Sequence, residues 1–275
     1  MSKDRKKKKQ KKFKMPKRRQ PVFKLFGKVL GCFLKAKVES EIESLPDKAI
    51  IASIHAAKNG PMAIALSYPK FSVMWGHHSM LGGYRERFKY LRNVLYIQKM
   101  HKSKFVATFK ALYEALFSIY FYKGMKFIGT YTDMRFNTTI KNSITVLDEG
   151  ASVIIYPEDS SEGYFDTVRS AFPGFVMLAS AYYRKKGEDV PVIPAYICTK
   201  KRRLIIGKPR YVHKMELEGL TKQEIADIIK DDINALYSDY IVTDTPAQPS
   251  VKDAPVRSKE YYESVTESAL PKADA

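Results

Sequence analysis

The chain has 275 residues, of which 45% are hydrophobic, so its length allows a substantial core and its composition excludes a wholly disordered protein. It has only two cysteines, Cys32 and Cys198, which argues against a disulfide framework and leaves no metal-ligand spacing. The formal net charge of +19 predicts an anionic partner, either a nucleic acid or an anionic membrane surface.

The basic excess is concentrated at the N-terminus. Residues 1–20 contain twelve Lys or Arg side chains and a single acid, Asp4. A charge run of this kind cannot bury an apolar face, so we predict a disordered polybasic arm. The arm would bind polyanions, and by itself it does not distinguish lipid from nucleic acid.

Residues 21–38 have the pattern of an amphipathic helix. On a helical wheel the large apolar residues fall on one line and the lysines lie on the opposite side. The apolar line consists of Val22, Phe26, Val29 and Phe33. An aromatic-rich amphipathic helix after a basic arm is typical of an in-plane membrane anchor. We therefore predict that residues 1–37 bind an anionic membrane surface, with an ordinary helix that covers the core as the alternative.

The sequence contains neither a recognisable membrane-spanning helix nor a secretory signal. No uninterrupted apolar stretch reaches the ~20 residues that a membrane-spanning helix needs. No apolar segment before a small-residue cleavage site indicates a secretory signal. We expect a cytoplasmic protein that associates with the inner face of the membrane.

Short apolar runs alternate with helical stretches through residues 39–243. The predicted strands are 49–55, 71–75, 126–131, 151–157, 190–197 and 203–209. The predicted helices are 61–67, 104–122, 136–149, 168–186, which we expect to be broken or kinked near Pro173-Gly174, and 221–237, the last opened by a capping box of Thr221 and Glu224. This alternation predicts one α/β domain with a mixed, largely parallel sheet flanked by helices, followed by a mobile tail over residues 244–275.

Candidate reactive groups follow two of the predicted strands. His55 ends the first strand, at the position where α/β enzymes place reactive side chains, and an imidazole suits a general base. Glu158 follows a later strand and opens an acidic and hydroxyl cluster at residues 158–162. We expect His55 and Glu158 to lie in a common cleft. His77 and His78 follow a third strand and are candidates to line it.

Five short segments occur in an order that resembles a known enzyme family. They are "SIHAAKNG", "IGTYTDMR", "YPEDSSEG", "VPVIPA" and "IIGKP". In this order they resemble the blocks of the glycerolipid acyltransferases, typified by 1-acylglycerol-3-phosphate acyltransferase. Those blocks read NHxxxxD, an arginine near a strand, FPEGTRS, VPIVPV and IGKP. The resemblance covers about residues 44–237 of the chain.

The resemblance implies a reaction and roles for particular residues. A fatty acyl group would move from acyl-CoA or acyl-carrier protein, as co-substrate, to a lysophospholipid or related polar acceptor, with no bound cofactor or metal. His55 would be the catalytic base and Glu158 an acceptor-binding residue. Asp159, Ser160 and Ser161 fall in the same acceptor-binding block. Pro194 falls in the block that shapes the acyl site.

The sequence departs from the family at the residue that orients the histidine. The aspartate expected five residues after the histidine is Gly60. We expect Asn59 to accept a hydrogen bond from the imidazole instead, as an amide does in some cysteine proteases. Asp133 and Asp159 are the alternatives, since either could approach the ring through space.

The sequence also lacks the arginines that bind phosphate in the family. Ser160 and Ser161 stand where the family has Thr-Arg, so lysophosphatidic acid is not favoured as the acceptor. Arg135, Lys58 and Lys141 are candidates to replace the missing charge. We include Arg135 among the predicted substrate-binding residues.

Three other interpretations remain open from the sequence. A relative that has lost its activity would fit the incomplete histidine motif. A nucleic-acid-binding protein would fit the basic arm, although the body contains no helix-turn-helix or zinc signature and no specific nucleic acid is expected. A hydrolase with Ser160 or Ser161 as nucleophile lacks the G-x-S-x-G elbow.

Overall fold

The fold is built on one mixed β-sheet. The computed structural model describes residues 13–15, 21–57 and 59–249. Within these residues the strands are β1 Lys37–Ser40, β2 Ile50–Ser53, β3 Ser72–His77, β4 Phe127–Thr130, β5 Ser152–Ile155, β6 Pro191–Cys198, β7 Arg203–Ile206 and β8 Arg210–Tyr211. Their order across the sheet is β1-β7-β6-β2-β5-β3-β4, and β8 pairs with β6.

The sheet is largely parallel, as predicted. Strands β6, β2, β5, β3 and β4 are neighbours and all run in the same direction. Strands β7 and β8 run antiparallel to β6, and β1 is parallel to β7. All residues of β2 and β5 are buried, which explains why these strands read as continuous apolar runs and not as alternating patterns. The predicted α/β class is confirmed.

Helices cover the sheet. They are α1 Pro21–Leu34, α2 Gly60–Ser67, α3 Tyr84–Tyr90, α4 Lys104–Met125, α5 Phe136–Asp148, α6 Gly174–Lys186, α7 Val212–Leu217 and α8 Lys222–Leu236. A 3-10 turn, His78–Leu81, follows β3, and two π-helices, Leu91–Lys99 and Tyr237–Val242, continue α3 and α8. The capping box of Thr221 and Glu224 opens α8 as predicted.

Two predicted helix boundaries are wrong. Helix α1 ends at Leu34 and not at residue 38, because the following residues form β1, whose Glu39 is paired with Arg203 of β7 at 2.8 Å. Helix α6 begins at Gly174 and not at residue 168. The segment before Pro173 is extended, since Ala171 forms a β-bridge with Glu158. The sequence prediction also missed β1, α3 and the first π-helix.

Helix α4 packs on the first π-helix and forms a second, smaller core. Met80, Leu91 and Leu95 contact a stripe of alanines on α4 in this core. Among the described residues, none of the helices is long and apolar enough to cross a bilayer. The predicted polybasic arm, apart from residues 13–15, and residues 250–275 of the predicted tail lie outside the described part of the chain.

Candidate active site

The candidate site lies where three parallel strands end. Strand β5 lies between β2 and β3, so the carboxyl ends of all three meet at one edge of the sheet. His55 and Glu158 each lie three residues beyond the paired residues Ala52 and Ile155. The backbone N–H of His55 donates a hydrogen bond to the Glu158 carboxylate. The carboxylate of Glu158 therefore contacts the backbone of His55, at the sheet edge where the strand order predicts that the two residues are neighbours.

The imidazole of His55 is held in one tautomer. Its Nδ1 lies 2.6 Å from the carbonyl oxygen of Ala57. A carbonyl oxygen can only accept a hydrogen bond, so Nδ1 carries the proton and donates it. In the neutral ring, Nε2 then has a free lone pair. His55 thus presents the basic nitrogen that a proton acceptor requires.

An unusual backbone turn brings the Ala57 carbonyl to the ring. Ala56 and Ala57 have φ angles of 46° and 56°, in the left-handed region. Each such residue costs roughly 1–2 kcal/mol when it is not glycine. Strain of this kind persists only where the surrounding structure enforces it, and it is concentrated at functional sites. The strained turn places the Ala57 carbonyl where it fixes the orientation of the His55 ring.

The same turn explains why position 60 is glycine. A Cβ atom at Gly60 would lie 1.9 Å from the carbonyl oxygen of His55 and 3.0 Å from the Cβ of Ala56. No side chain fits there, so an aspartate at this position is incompatible with the turn. The Ala57 carbonyl takes over the orienting hydrogen bond, but as a neutral acceptor it supplies no negative charge.

Aromatic rings enclose His55 and keep it neutral. The ring of Tyr164 stacks on it at a centroid distance of 5.0 Å, and that of Tyr156 meets it edge-on at 4.9 Å. Burial, together with the positive charge of Lys99, lowers the pKa of His55 to about 4, against the favourable hydrogen bond to Ala57. The ring is therefore uncharged at neutral pH.

The carboxyl group of Glu158 is buried and incompletely hydrogen-bonded. Burial raises its pKa to about 7, although the His55 N–H and the charge of Lys99 favour the ionised form. Within the described residues, its Oε1 atom has no hydrogen-bond partner. A buried polar atom without a partner costs about 1–3 kcal/mol.

Lys99 ends the first π-helix and belongs to the site, although it is not among the residues predicted from the sequence. Its ammonium lies 2.5 Å from the hydroxyl of Ser160 and 5.6 Å from the centre of the Tyr164 ring. Burial lowers the pKa of Lys99, opposed by the charges of Glu158 and Asp159. The segment YIQKM contains no motif, so only the three-dimensional arrangement identifies this cation.

His77, at the end of β3, contributes a second imidazole, which is protonated on the other ring nitrogen from His55. Its Nδ1 accepts a hydrogen bond from the backbone N–H of Ser79 at 3.3 Å. Burial, with the charges of His78 and Lys99, lowers its pKa to about 4. In the neutral ring the proton is therefore on Nε2. His55 therefore has Nε2 as a proton acceptor, and His77 has its Nε2–H as a hydrogen-bond donor.

Both histidines line one cavity of about 700 Å³. Polar side chains in its wall include His55, His77, Asn59, Tyr156 and Tyr164, and Lys110, Glu114 and Ser118 of α4 line it as well. Apolar side chains of the first π-helix, α1 and α4 line the remainder, Leu95, Leu30 and Phe117 among them. The volume is in the range of pockets for organic ligands, and its mixed lining suits a molecule that has both polar and apolar parts. Glu158 does not line this cavity, so the prediction that His55 and Glu158 share one cleft is wrong for the carboxylate.

The structure does not support the predicted ways of orienting His55. Asn59 lines the cavity, but the partner of Nδ1 is the Ala57 carbonyl. Asp133 forms an exposed ion pair with Arg135 at 2.7 Å. Asp159 accepts a hydrogen bond from the backbone N–H of Ser161 at 2.9 Å. Neither aspartate replaces the missing carboxylate of the family pattern.

The remaining predicted residues divide between the site and its surroundings. Ser160 reaches the site through its contact with Lys99, whereas Ser161 is exposed. Arg135 lies over the ring of Tyr131 at 4.5 Å and is not among the described residues that line the cavity. Pro194 pairs with Ala52 inside the sheet, so it does not reach the cavity either.

Two of the candidates for the missing phosphate-binding charge remain to be placed. Lys58 lies outside the described residues, and Lys141 is exposed on α5. Within the described ranges, no cluster of three or more His, Cys, Asp or Glu side chains is arranged to hold a metal ion.

Comparison with known proteins adds no assignment, because neither the protein-family models nor the curated proteins give a match to this chain. The resemblance to glycerolipid acyltransferases therefore depends on the five sequence blocks.

The Gly60 contact predicts a steric penalty. Gly60→Ala should lower the free energy of unfolding by about 2 kcal/mol or more, because the added Cβ overlaps the His55 carbonyl. Gly31→Ala is the control, since its Cβ would make only an ordinary 3.9 Å contact with the Cβ of Lys35. Urea denaturation measures both, and equal stability of the two variants would contradict the described turn.

The buried Glu158 predicts a pH-dependent gain in stability for Glu158→Gln. Its folded-state pKa is raised to about 7 from an ordinary 4.5, so the contribution of Glu158 to stability is complete below pH 4.5 and is lost as the pH rises through 7. The loss is on the order of 3 kcal/mol. Thermal unfolding should show Glu158→Gln more stable than wild type at pH 8 and equal at pH 4.

Glu162→Gln, at an exposed position of the same segment, serves as the control and should change stability little at either pH. A Glu158→Gln variant whose stability relative to wild type does not change with pH would contradict the burial of this carboxyl group.

Proposed function

We propose that the protein is an acyltransferase that moves a fatty acyl group from an acyl thioester to the hydroxyl group of a lysophospholipid or a related polar acceptor. The observation that carries the proposal is the neutral imidazole of His55, which is unprotonated at Nε2 and lines a cavity with many apolar side chains. The order of the five sequence blocks supports the same reaction.

His55 would act as the general base. Its Nε2 would take the proton of the acceptor hydroxyl while the hydroxyl oxygen attacks the carbonyl carbon of the thioester. A carbon–oxygen bond forms, and the carbonyl oxygen becomes an oxyanion. When the oxyanion collapses, the carbon–sulfur bond breaks and the leaving thiolate receives the proton from the imidazolium. The low pKa of His55 keeps the base unprotonated before the acceptor binds.

Two further side chains have roles that follow from their hydrogen bonds. The Nε2–H of His77 is a donor in the same cavity and would stabilise the oxyanion. Glu158 does not line the cavity and would act by holding the backbone of His55 through the hydrogen bond from the His55 N–H to its carboxylate. Lys99 would supply the positive charge that the family obtains from arginine, and the apolar wall of the cavity would hold the acyl chain.

The N-terminal region would keep the enzyme at its substrate. Residues 1–20 carry most of the basic excess, and α1 follows them with Leu25, Phe26, Val29 and Phe33 exposed. This exposure favours the in-plane membrane helix over a helix that covers the core. The acceptor and the acyl chain are both lipids, so a protein bound to an anionic membrane surface would meet them there.

A second candidate function is favoured by the contact between Ser160 and Lys99. A serine hydroxyl 2.5 Å from a lysine whose pKa is lowered by burial has the composition of a serine–lysine catalytic pair. In that case the protein would be a hydrolase, with Ser160 as nucleophile and Lys99 as base. The two candidates make opposite demands on His55 and Ser160, which makes them separable.

The test is acyl transfer from a mass-tagged acyl thioester to lysophospholipids of different head group. His55→Ala should lower the rate at least about 10²-fold, the usual contribution of a general base. Ser160→Ala should retain most of the activity, and a serine-directed fluorophosphonate probe should not label the protein. His213→Ala, which changes a histidine of α7, is the control and should behave as wild type.

Full activity in His55→Ala would remove the proposed base from the mechanism. Loss of activity in Ser160→Ala together with probe labelling would favour the hydrolase instead.

The proposed donor makes a separate prediction. His77→Ala should lower kcat about 10²-fold and change the KM for the thioester little, because the oxyanion exists only during the reaction. His77→Gln keeps an N–H donor and should recover part of the loss. Steady-state kinetics distinguishes this outcome from a binding role, in which KM would rise while kcat stayed unchanged.

A further inference from the structure

Helix α4 exposes its large apolar side chains and buries its small ones. Ala107, Ala111 and Ala115 are fully buried in the core shared with the first π-helix. The exposed fractions of six large residues are between 45% and 74%: Phe105, Phe109, Leu112, Tyr113, Leu116 and Tyr120. Surface helices of globular proteins normally turn their large apolar residues to the core. Helix α4 therefore presents an extended aromatic face for which water is a poor solvent.

Helix α1 extends this face. Phe23 of α1 packs so closely on α4 that a Cβ at Gly124 would lie 2.3 Å from its Cδ2 atom. On α1, Leu25, Phe26, Val29 and Phe33 are 47–73% exposed. We call these four residues and the six of α4 the α1–α4 surface. Many exposed large apolar side chains on two helices that pack together indicate a site of interaction with a protein or a membrane.

The cavity opens within the α1–α4 surface. Phe109, Tyr113 and Phe117 of α4 line the cavity and are also 60%, 71% and 43% exposed, so they form its rim. Leu30 and Leu34 of α1 line the cavity too. An apolar chain could pass from an apolar phase covering this surface into the cavity without crossing water.

The charges around the surface indicate the nature of that phase. Helices α1 and α4 together contain five lysines and one glutamate, Glu114. Lys24, Lys28, Lys104 and Lys110 among these lysines are exposed. Lysines around an aromatic and aliphatic face are typical of helices that lie in the interface of an anionic bilayer. A nucleic acid would instead be met by a predominantly charged surface.

We propose that the α1–α4 surface is a bilayer-contact surface in which α4, and not only the N-terminal helix, inserts its aromatic face among the lipids. Lipid chains then enter the cavity sideways, between α1 and α4. The contact requires no acyl transfer, so it stands or falls independently of the proposed reaction.

The experiment is co-sedimentation of the full chain with vesicles of phosphatidylcholine and phosphatidylglycerol at low and high salt. The test variant carries Phe105→Ser, Leu116→Ser and Tyr120→Ser, three exposed positions of α4 that do not line the cavity. The control variant carries Tyr211→Ser, Leu217→Ser and Val242→Ser, which are similarly exposed outside α1 and α4. High salt screens the contribution of the basic arm and leaves the apolar contact.

We expect the α4 variant to bind vesicles at least about tenfold more weakly than wild type at high salt, and the control variant to bind as wild type does. Equal vesicle binding by wild type and the α4 variant would overturn the proposal. So would a wild-type dimer that the α4 substitutions convert to a monomer without a change in vesicle binding, because a second copy would then cover the surface.

A second measurement does not depend on the folding of a triple variant. A tryptophan introduced as Leu116→Trp should be quenched by brominated lipids, whereas one introduced as Leu217→Trp should not. The native Trp75 is buried and provides the common background. Quenching of both introduced tryptophans to the same extent, or of neither, would contradict insertion of α4.

Discussion

The candidate site depends on one hydrogen bond, from Nδ1 of His55 to the carbonyl oxygen of Ala57. It fixes the tautomer of the ring and leaves Nε2 as the basic nitrogen. The bond forms only because Ala56 and Ala57 adopt left-handed backbone angles, which in turn require a residue without a side chain at position 60. A neutral carbonyl does not stabilise an imidazolium as a carboxylate would. The low pKa of His55 is in keeping with this difference, since burial is opposed here only by a neutral acceptor.

The rest of the site is arranged around this neutral base. A histidine normally has a higher pKa than a glutamate, but here the order is reversed. The pKa of Glu158 is about 7 and that of His55 is about 4. Both shifts have burial as their largest cause. His77, at the end of β3, adds a hydrogen-bond donor. The cavity also extends to the exposed helices α1 and α4. A lipid has both the polar and the apolar parts that this mixed lining could contact.

The placement of site residues at strand ends could be predicted from the sequence. The features that depend on backbone angles or on packing could not. His55 and Glu158 could be placed together because parallel strands end at one edge of a sheet. The role of Ala57 could not be predicted, since an alanine gives no sign of a left-handed conformation, and Asn59 was expected in its place. Lys99 lies in a π-helix that no sequence pattern predicts. Helix α4 was predicted, but its orientation is set by the close packing of its alanines, which sends its large side chains outward.

The tautomer and charge of His55 can be measured directly by ¹⁵N NMR of histidine-labelled protein, with His55→Gln used to assign the signals. The account predicts a neutral ring at about pH 6, protonated on Nδ1 with an unprotonated Nε2, and no titration until the pH falls towards 4. A ring protonated on Nε2, or one that titrates at its ordinary value near 6.5, would contradict it.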